Sequence, residues 1–352
     1  MYANTLAEAT VPDPKACPPI RWGILGAGHI ARTFAADARL TGASVVAIGS
    51  RSQAKAEAFA VENGIPHAAG SYDELVSRDD VDAVYVATPH SAHRDAAMLA
   101  LNAGKPVLVE KAFARNAAEA REIQATARER GLFAMEAMWS RFLPHMVAAR
   151  ALIEAGAIGS VVEVVADHCQ ALTHVARLVE PELAGGALLD LGVYPVSFIH
   201  SLLGVPDEVR TRGTLLATGV DATSTTALIY GSVVAVVTTS LLASSGNRAW
   251  VSGTEGYIEF GREFYRPESG GITLVRPGEE ALVYAPTVAG TGFQYEIAEA
   301  SRCIDAGLTE SPTFPVEASV QVMTVLDEVR RQLGVRYPGE PSLRPPHPGA
   351  DV

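Results

Sequence analysis

The sequence predicts an α/β protein: a doubly wound parallel sheet, followed by an α+β domain with a large open-faced, mostly antiparallel sheet. Three observations support this. From residue 20 to about 133, short β-branched runs alternate with alanine-rich helical stretches, the pattern of a parallel sheet with helices on both faces. The string Gly26-Ala27-Gly28-His29-Ile30-Ala31 lies between the first such run and the first helix. Beyond residue 161 the β-rich runs are separated by turn residues rather than helices, which favours antiparallel pairing.

In order, 20–25, 44–48, 83–87 and 107–109 read as strands, and 31–39, 53–63, 72–77, 92–103 and 117–130 as helices. Gly104 and Gly131 follow helical runs as C-terminal caps should. In the second half, 161–166, 209–217, 223–230, 233–242, 248–252 and 257–260 read as strands, and Val316–Leu333 as a long closing helix ending at Gly334. The expected boundaries are a flexible N-terminal tail (1–19), a dinucleotide-binding Rossmann domain (20–140), a substrate-binding and oligomerisation domain (141–335) and a proline-rich tail (336–352).

A length of 352 residues with 48% hydrophobic content supports two cores. The net charge of −12 argues against a nucleic-acid or anionic-membrane surface. Apolar stretches are interrupted early, so no transmembrane helix is expected. Three scattered cysteines without a CxxC pair suggest reduced thiols and a cytoplasmic setting.

The glycine turn lets a backbone approach a pyrophosphate and aims helix N–H groups at it; Ala31 satisfies the third, small-residue position. Twenty-odd residues on, an NAD site usually carries an acidic residue for the ribose 2′-hydroxyl. This chain instead has Ser50-Arg51-Ser52 with Lys55 behind them. A guanidinium fork and hydroxyls suit a 2′-phosphate, so NADP(H) is expected over NAD(H).

Ligands of open parallel sheets lie beyond the carboxyl ends of the strands. Those ends carry Thr88-Pro89-His90 with His93, and Glu110-Lys111. HxxH spacing prompts the thought of a metal, but no Cys or acidic cluster completes a ligand set, so none is expected. A pocket role, or a helix-start cap, fits these histidines better. A second constellation is Gly185-Gly186-Ala187-Leu188-Leu189-Asp190-Leu191-Gly192-Val193-Tyr194-Pro195. With a helix starting near Leu188, Asp190 and Tyr194 share a face. The Lys111 ammonium could lower the phenol toward working pH, against the plainer reading of a core tyrosine. His168, after the strand 161–166, either lines the same pocket or lies at the surface.

These motifs, with Gly253-Thr254-Glu255-Gly256, resemble the Gfo/Idh/MocA oxidoreductases over nearly the whole chain. The stretch Glu136-Ala137-Met138-Trp139-Ser140-Arg141-Phe142 and Tyr194 resemble the branch of dimeric dihydrodiol dehydrogenases and NADP-dependent xylose dehydrogenases. The resemblance implies Lys111 and Tyr194 as catalytic lysine and acid–base residue, with Asp190 alongside. Substrate would meet Lys111, Trp139, His168, Asp190 and Tyr194. Cofactor contacts would come from Gly26, Gly28, His29, Ile30, Ser50, Arg51, Ser52, Thr88, Pro89, His90, His93, Glu110, Lys111, Trp139 and Arg141. The resemblance also implies an assembly, a homodimer or homotetramer, through the open sheet. Ala112 stands where the family usually has proline, so the Lys111–Ala112 peptide is expected to be trans.

The expected activity is NADP(H)-dependent hydride transfer at a hydroxyl- or keto-bearing carbon of a sugar, polyol or cyclic diol. One rival is a biosynthetic reductase of keto-sugars, possibly nucleotide-linked, which would need donors for a diphosphate. Arg177, Arg212 and Arg248 look too scattered in sequence to supply them. The other is a non-catalytic NADP-binding regulator on the same fold.

Overall fold

The computed structural model describes residues 2–267 and 271–340. From the N-terminus, α1 (Tyr2–Glu8) precedes β1 (Arg21–Leu25), α2 (His29–Ala38), β2 (Ser44–Gly49), α3 (Gln53–Asn63), β3 (His67–Ala69) and α4 (Tyr72–Val76). Then come β4 (Ala83–Val86), α5 (His93–Asn102), β5 (Val107–Glu110), α6 (Ala117–Arg130) and β6 (Ala134–Ala137). All six strands run parallel in the order β3-β2-β1-β4-β5-β6. The order reverses between β1 and β4, and a ligand crevice is expected at that switch. Every residue of β4, β5 and β6 is buried, as parallel strands covered on both faces require. Gly131 caps α6 at φ 62° and Gly104 follows α5 at φ 78°.

The second half adds α7 (Pro144–Glu154), β7 (Val161–Cys169), α8 (Ala176–Val179), α9 (Val193–Leu203), β8 (Glu208–Leu215), β9 (Asp221–Tyr230) and β10 (Val233–Ser240). It continues with β11 (Ala249–Gly253), β12 (Tyr257–Phe260), β13 (Ile272–Val275), β14 (Leu282–Tyr284), α10 (Phe293–Asp305) and α11 (Val316–Leu333). Eight strands form one sheet, antiparallel except for the β7–β10 pair. Helix α11 packs on β8, α6 and α9, tying the second sheet to the first domain.

Two sequence expectations need correction. Residues 2–19 do not hang free: Leu6 and Cys17 are buried, α1 lies against α7, and Arg276 sits 5.2 Å above the Tyr2 ring. Residues 336–340 also pack into the fold. Tyr337 is buried, its hydroxyl donates to Gly185 O at 2.6 Å, and Glu340 pairs with the buried Arg330 at 2.9 Å. The rest of the expected proline-rich tail, 341–352, lies outside the described residues. Residues 181–203, of mean hydropathy 1.4, pass by length and composition for a membrane span, yet 78% of that window is buried inside the fold. The helical part from Leu188 carries Asp190 and Tyr194.

Candidate active site

The carboxyl ends of the first-sheet strands open into a cleft of about 370 Å³. Gly26 turns the chain at φ 106°, where a Cβ would lie 2.6 Å from Ala87 O, so only glycine fits. Gly28 is the N-cap of α2, no side chain caps the helix, and a Cβ there would meet open space. Uncapped N–H groups at a helix start facing a cleft suit a pyrophosphate. At the end of β2, Ser50, Arg51 and Lys55 line the cleft without a carboxylate among them, and Tyr72 from α4 closes that side. Tyr72 completes a wall that sequence reasoning left incomplete; nothing around it marks it in sequence. Ser52, expected as a cofactor contact, caps α3 instead by accepting the Lys55 N–H at 3.4 Å, because its hydroxyl meets an orphan helix donor.

Thr88, Pro89, His90 and His93 follow β4 into the cleft. Neither histidine is a helix N-cap, since Pro89 and Ala92 hold those positions. His93 is wedged between Ala112 O (Nδ1, 2.8 Å) and Thr88 O (Nε2, 2.8 Å), and His90 Nδ1 meets Ala184 O of the second domain at 3.2 Å. Burial lowers His90 to about 3 and His93 to about 4, the latter against the upward pull of its carbonyl partners. Among the described residues no three His, Cys, Asp or Glu are grouped to hold a metal ion.

Lys111 leaves the end of β5, and the peptide to Ala112 is cis, not trans as expected. Its surroundings hold it: Ala112 O meets His93, and the next amide, Phe113 N–H, donates to Glu136 Oε1 at 3.0 Å. Glu110 accepts from the Lys111 N–H (3.2 Å) and from the Tyr85 hydroxyl. Burial raises Glu110 and Glu136 each to about 7.

The Lys111 Nζ donates to Asp190 O at 2.8 Å and to Asp190 Oδ1 at 3.2 Å, and lies 5.0 Å from the centre of the Tyr194 ring. Asp190 and Tyr194 share a side as expected, on a π-helical turn (Leu188–Gly192) running into α9. Such turns recur at functional sites. Buried Asp221 anchors its start by accepting the Leu188 N–H at 2.7 Å. Burial pushes the Asp190 carboxyl up, but Lys111 and Arg177 outweigh it and hold the group well below the usual carboxylate range.

The Tyr194 hydroxyl accepts from Trp139 Nε1 at 2.9 Å, and its ring lies 5.1 Å from His168 and 5.0 Å from Tyr265. Here a further expectation fails. The phenol is pushed well above its ordinary value, by burial first and then by Glu110. Lys111 Nζ faces the ring and donates its hydrogen bonds to Asp190, so Tyr194 stands as a protonated donor. His168 is buried rather than at the surface, stacked 4.1 Å from Tyr265 with Nδ1 at 3.1 Å from Leu191 O.

Trp139 and Arg141 do not reach the cofactor cleft. Trp139 stacks on Phe293 at 5.4 Å and serves Tyr194. Arg141 is buried, donating from Nε to Ser197 Oγ at 2.8 Å and lying 4.1 Å above Phe314; burial lowers it to about 9. Motif adjacency suggested a ligand contact, whereas the 3-10 turn 139–142 points the two side chains to different partners. Conversely, Arg177, set aside as too scattered in sequence, lines the cleft beside Asp190.

A dinucleotide crevice at the switch point, ending in a lysine and a carboxylate with a buried phenol packed behind the lysine, defines a nicotinamide-dependent oxidoreductase. The comparisons give the lineage. Residues 20–138 match the model of the oxidoreductase family with an NAD-binding Rossmann fold, and residues 146–259 match the GFO/IDH/MocA C-terminal domain. The chain belongs to the Gfo/Idh/MocA oxidoreductase family. It is 40% identical over 332 residues to trans-1,2-dihydrobenzene-1,2-diol dehydrogenase of Macaca fascicularis, covering 91% of this chain and 98% of that protein. The Homo sapiens enzyme of that name is 38% identical with the same coverage. Among solved structures, an aldose-aldose oxidoreductase from Caulobacter crescentus, complexed with glycerol, superposes with TM-score 0.81 at 25% identity, covering 90% of this chain and 98% of that one. A 3-ketoreductase from Actinomadura kijaniata, in complex with NADP and TDP-benzene, gives 0.77 at 28% identity, covering 89% and 97%.

Proposed function

We propose that the protein is an NADP(H)-dependent dehydrogenase or reductase acting on a hydroxyl- or keto-bearing carbon of a sugar, polyol or cyclic diol. The observation that carries this reading is the seating of Lys111 between Asp190 and the Tyr194 ring at the nicotinamide end of the cleft. NADP is favoured because Ser50, Arg51 and Lys55 line the 2′-end of the groove without a carboxylate. The relatives' names support the substrate class.

The bound dinucleotide supplies or accepts the hydride. In the direction of reduction, Tyr194 Oη gives its proton to the substrate oxygen while Lys111 donates a hydrogen bond to the same oxygen. Asp190 keeps Lys111 aimed, and Trp139 fixes the Tyr194 hydroxyl. In oxidation Tyr194 must start as the phenolate, which then takes the substrate's hydroxyl proton.

A homodimer in the cytoplasm fits this reading. The outward face of the second sheet carries a row of half-buried Ala227, Val236, Val165 and Trp250, adjacent in register, apolar enough to seek a partner. The test is an NADP-linked absorbance screen over aldoses, polyols, dihydrodiols and keto-sugars. Turnover of at least one class, reduced by orders of magnitude in both Lys111→Ala and Tyr194→Phe while NADP still binds, is expected. Stoichiometric NADP binding with no turnover across the panel would overturn it in favour of a regulator.

A further inference from the structure

Within the segment joining β7 to α9, residues 176–187 fold back over the first domain. His90 meets Ala184 O, Gly186 N–H donates to Leu178 O at 2.9 Å, and Tyr337 donates to Gly185 O. A Cβ on Gly185 would lie 2.7 Å from Leu178 O, so this turn closes only because the residue is glycine. The fold-back brings α8, and with it Arg177, to the wall of the cleft at the Lys111 end.

Arg177 spends one amino group on Asp190 Oδ1 (3.1 Å), and its side chain remains 49% exposed. Asp190, 8% exposed, already has its Oδ1 shared with Lys111 at 3.2 Å. With Glu110, which burial raises to about 7 and so leaves partly protonated, the fixed charges at this end of the cleft are two cations against one full and one partial anion. The nearby imidazoles add none at neutral pH, since burial lowers His90 and His168 each to about 3. The cofactor's phosphates have their own partners elsewhere in the groove: the α2 N-terminus, and Arg51 with Lys55. A guanidinium presents five N–H donors in a fork suited to carboxylates, and about half of this side chain remains exposed beside the cleft.

We propose that Arg177 is a specificity-determining residue that grips a carboxylate on the substrate, so that the site selects sugar acids over the corresponding neutral sugars. This rests on the function proposed above and narrows its substrate class. The carboxylate supplies the missing negative charge, and the guanidinium bridges it to Asp190, fixing the substrate's distance from Lys111 and Tyr194.

The experiment compares D-glucuronate with D-glucose, which share a ring and differ in a carboxylate against a hydroxymethyl group. It uses the full chain with NADP as wild type, Arg177→Gln and Arg177→Lys, reading kcat/KM, with glucuronate and NADP affinities from calorimetry. A charge-assisted contact of this kind corresponds to a preference of about 10- to 100-fold for the acid. Arg177→Gln is expected to shrink that preference to within about 3-fold, and Arg177→Lys, which keeps the charge without the fork, to leave part of it. Equal use of both sugars by the wild type, or equal losses on both in Arg177→Gln, overturns the proposal. So does weaker NADP binding with the sugar ratio unchanged, which would give Arg177 to a cofactor phosphate. If neither sugar turns over, calorimetry decides. Glucuronate binding that depends on Arg177 upholds the anion site while counting against sugar oxidation, and its absence overturns the site.

Discussion

Replacing Asp190 by asparagine keeps the shape of the site and removes the charge that organises it. In the native site one carboxylate oxygen meets Lys111 Nζ at 3.2 Å and Arg177 at 3.1 Å, with the lysine and aspartate side chains 12% and 8% exposed. At an effective dielectric of about 20, opposite charges at this spacing attract by about 5 kcal/mol, much of it cancelled by the cost of burying them. Arg177 is half exposed, so its share is held to about 1 kcal/mol or less. What remains for Lys111 is the net worth of one charge-assisted bond, about 1.5–3 kcal/mol. The contact from Nζ to Asp190 O, at 2.8 Å, survives the substitution. Lys111 is therefore loosened, not lost. Asp190→Asn is expected to lower kcat about 10- to 100-fold and leave the dissociation constant of NADP within about 3-fold, because the glycine turn and Arg51 are untouched. Steady-state turnover, with cofactor titration followed by protein fluorescence, measures both. Full turnover in the variant would refute the view that Asp190 aims the lysine, and a cofactor affinity that fell in step with kcat would make its role structural.

Other consequences are as direct. Arg51→Ala should weaken NADP by about 10- to 100-fold and NAD by little, the worth of a charged contact to one phosphate; equal losses in a binding titration would remove Arg51 from cofactor choice. Glu296 is fully buried, both carboxyl oxygens lack a hydrogen-bond partner, and burial raises it well above the usual carboxylate range. Its folded state thus holds a proton that the unfolded chain releases above about pH 4.5, and stability drains away as pH rises through that window toward the folded value, by up to about 1.4 kcal/mol per pH unit. Glu296→Gln should flatten that slope, so its advantage in denaturant midpoint over wild type should grow from about pH 5 to pH 8; parallel profiles would disprove it. Tyr337→Phe strands the buried Gly185 carbonyl and should cost about 1–3 kcal/mol in unfolding free energy, an effect that an unchanged midpoint would exclude.

The first domain was largely legible because its signals are local. Alternating β-branched and alanine-rich runs and the caps at Gly104 and Gly131 are read within a few residues of where they act. The helix Val316–Leu333 was legible for the same reason, since Val322, Met323, Leu326 and Val329 mark one buried face. Short elements escaped: β3, β13 and β14 span three or four residues each, too few for a period to show. Lys111, Asp190 and Tyr194 were found because they punctuate a strand end and a helix face. Arg177 was not, since only the fold-back of residues 176–187 carries it to the cleft. The acidity of Tyr194 was misjudged for a related reason. Sequence can suggest a neighbouring ammonium, but not that it faces the ring while burial and Glu110 act on the hydroxyl. Ser52 and Arg141 show the reverse error, in which a motif neighbour is claimed by a helix end or by another core helix.

The chain has three tryptophans, at positions 22, 139 and 250, and their placement makes the molecule its own optical instrument. Trp22 is sealed in the first core and Trp250 sits on the outer sheet, while the Trp139 indole is tied to the Tyr194 hydroxyl. Light absorbed by that indole is emitted where a reduced nicotinamide absorbs, so filling the site dims the protein and brightens the coenzyme. The proposed pairing at the sheet is reported separately by the colour of Trp250.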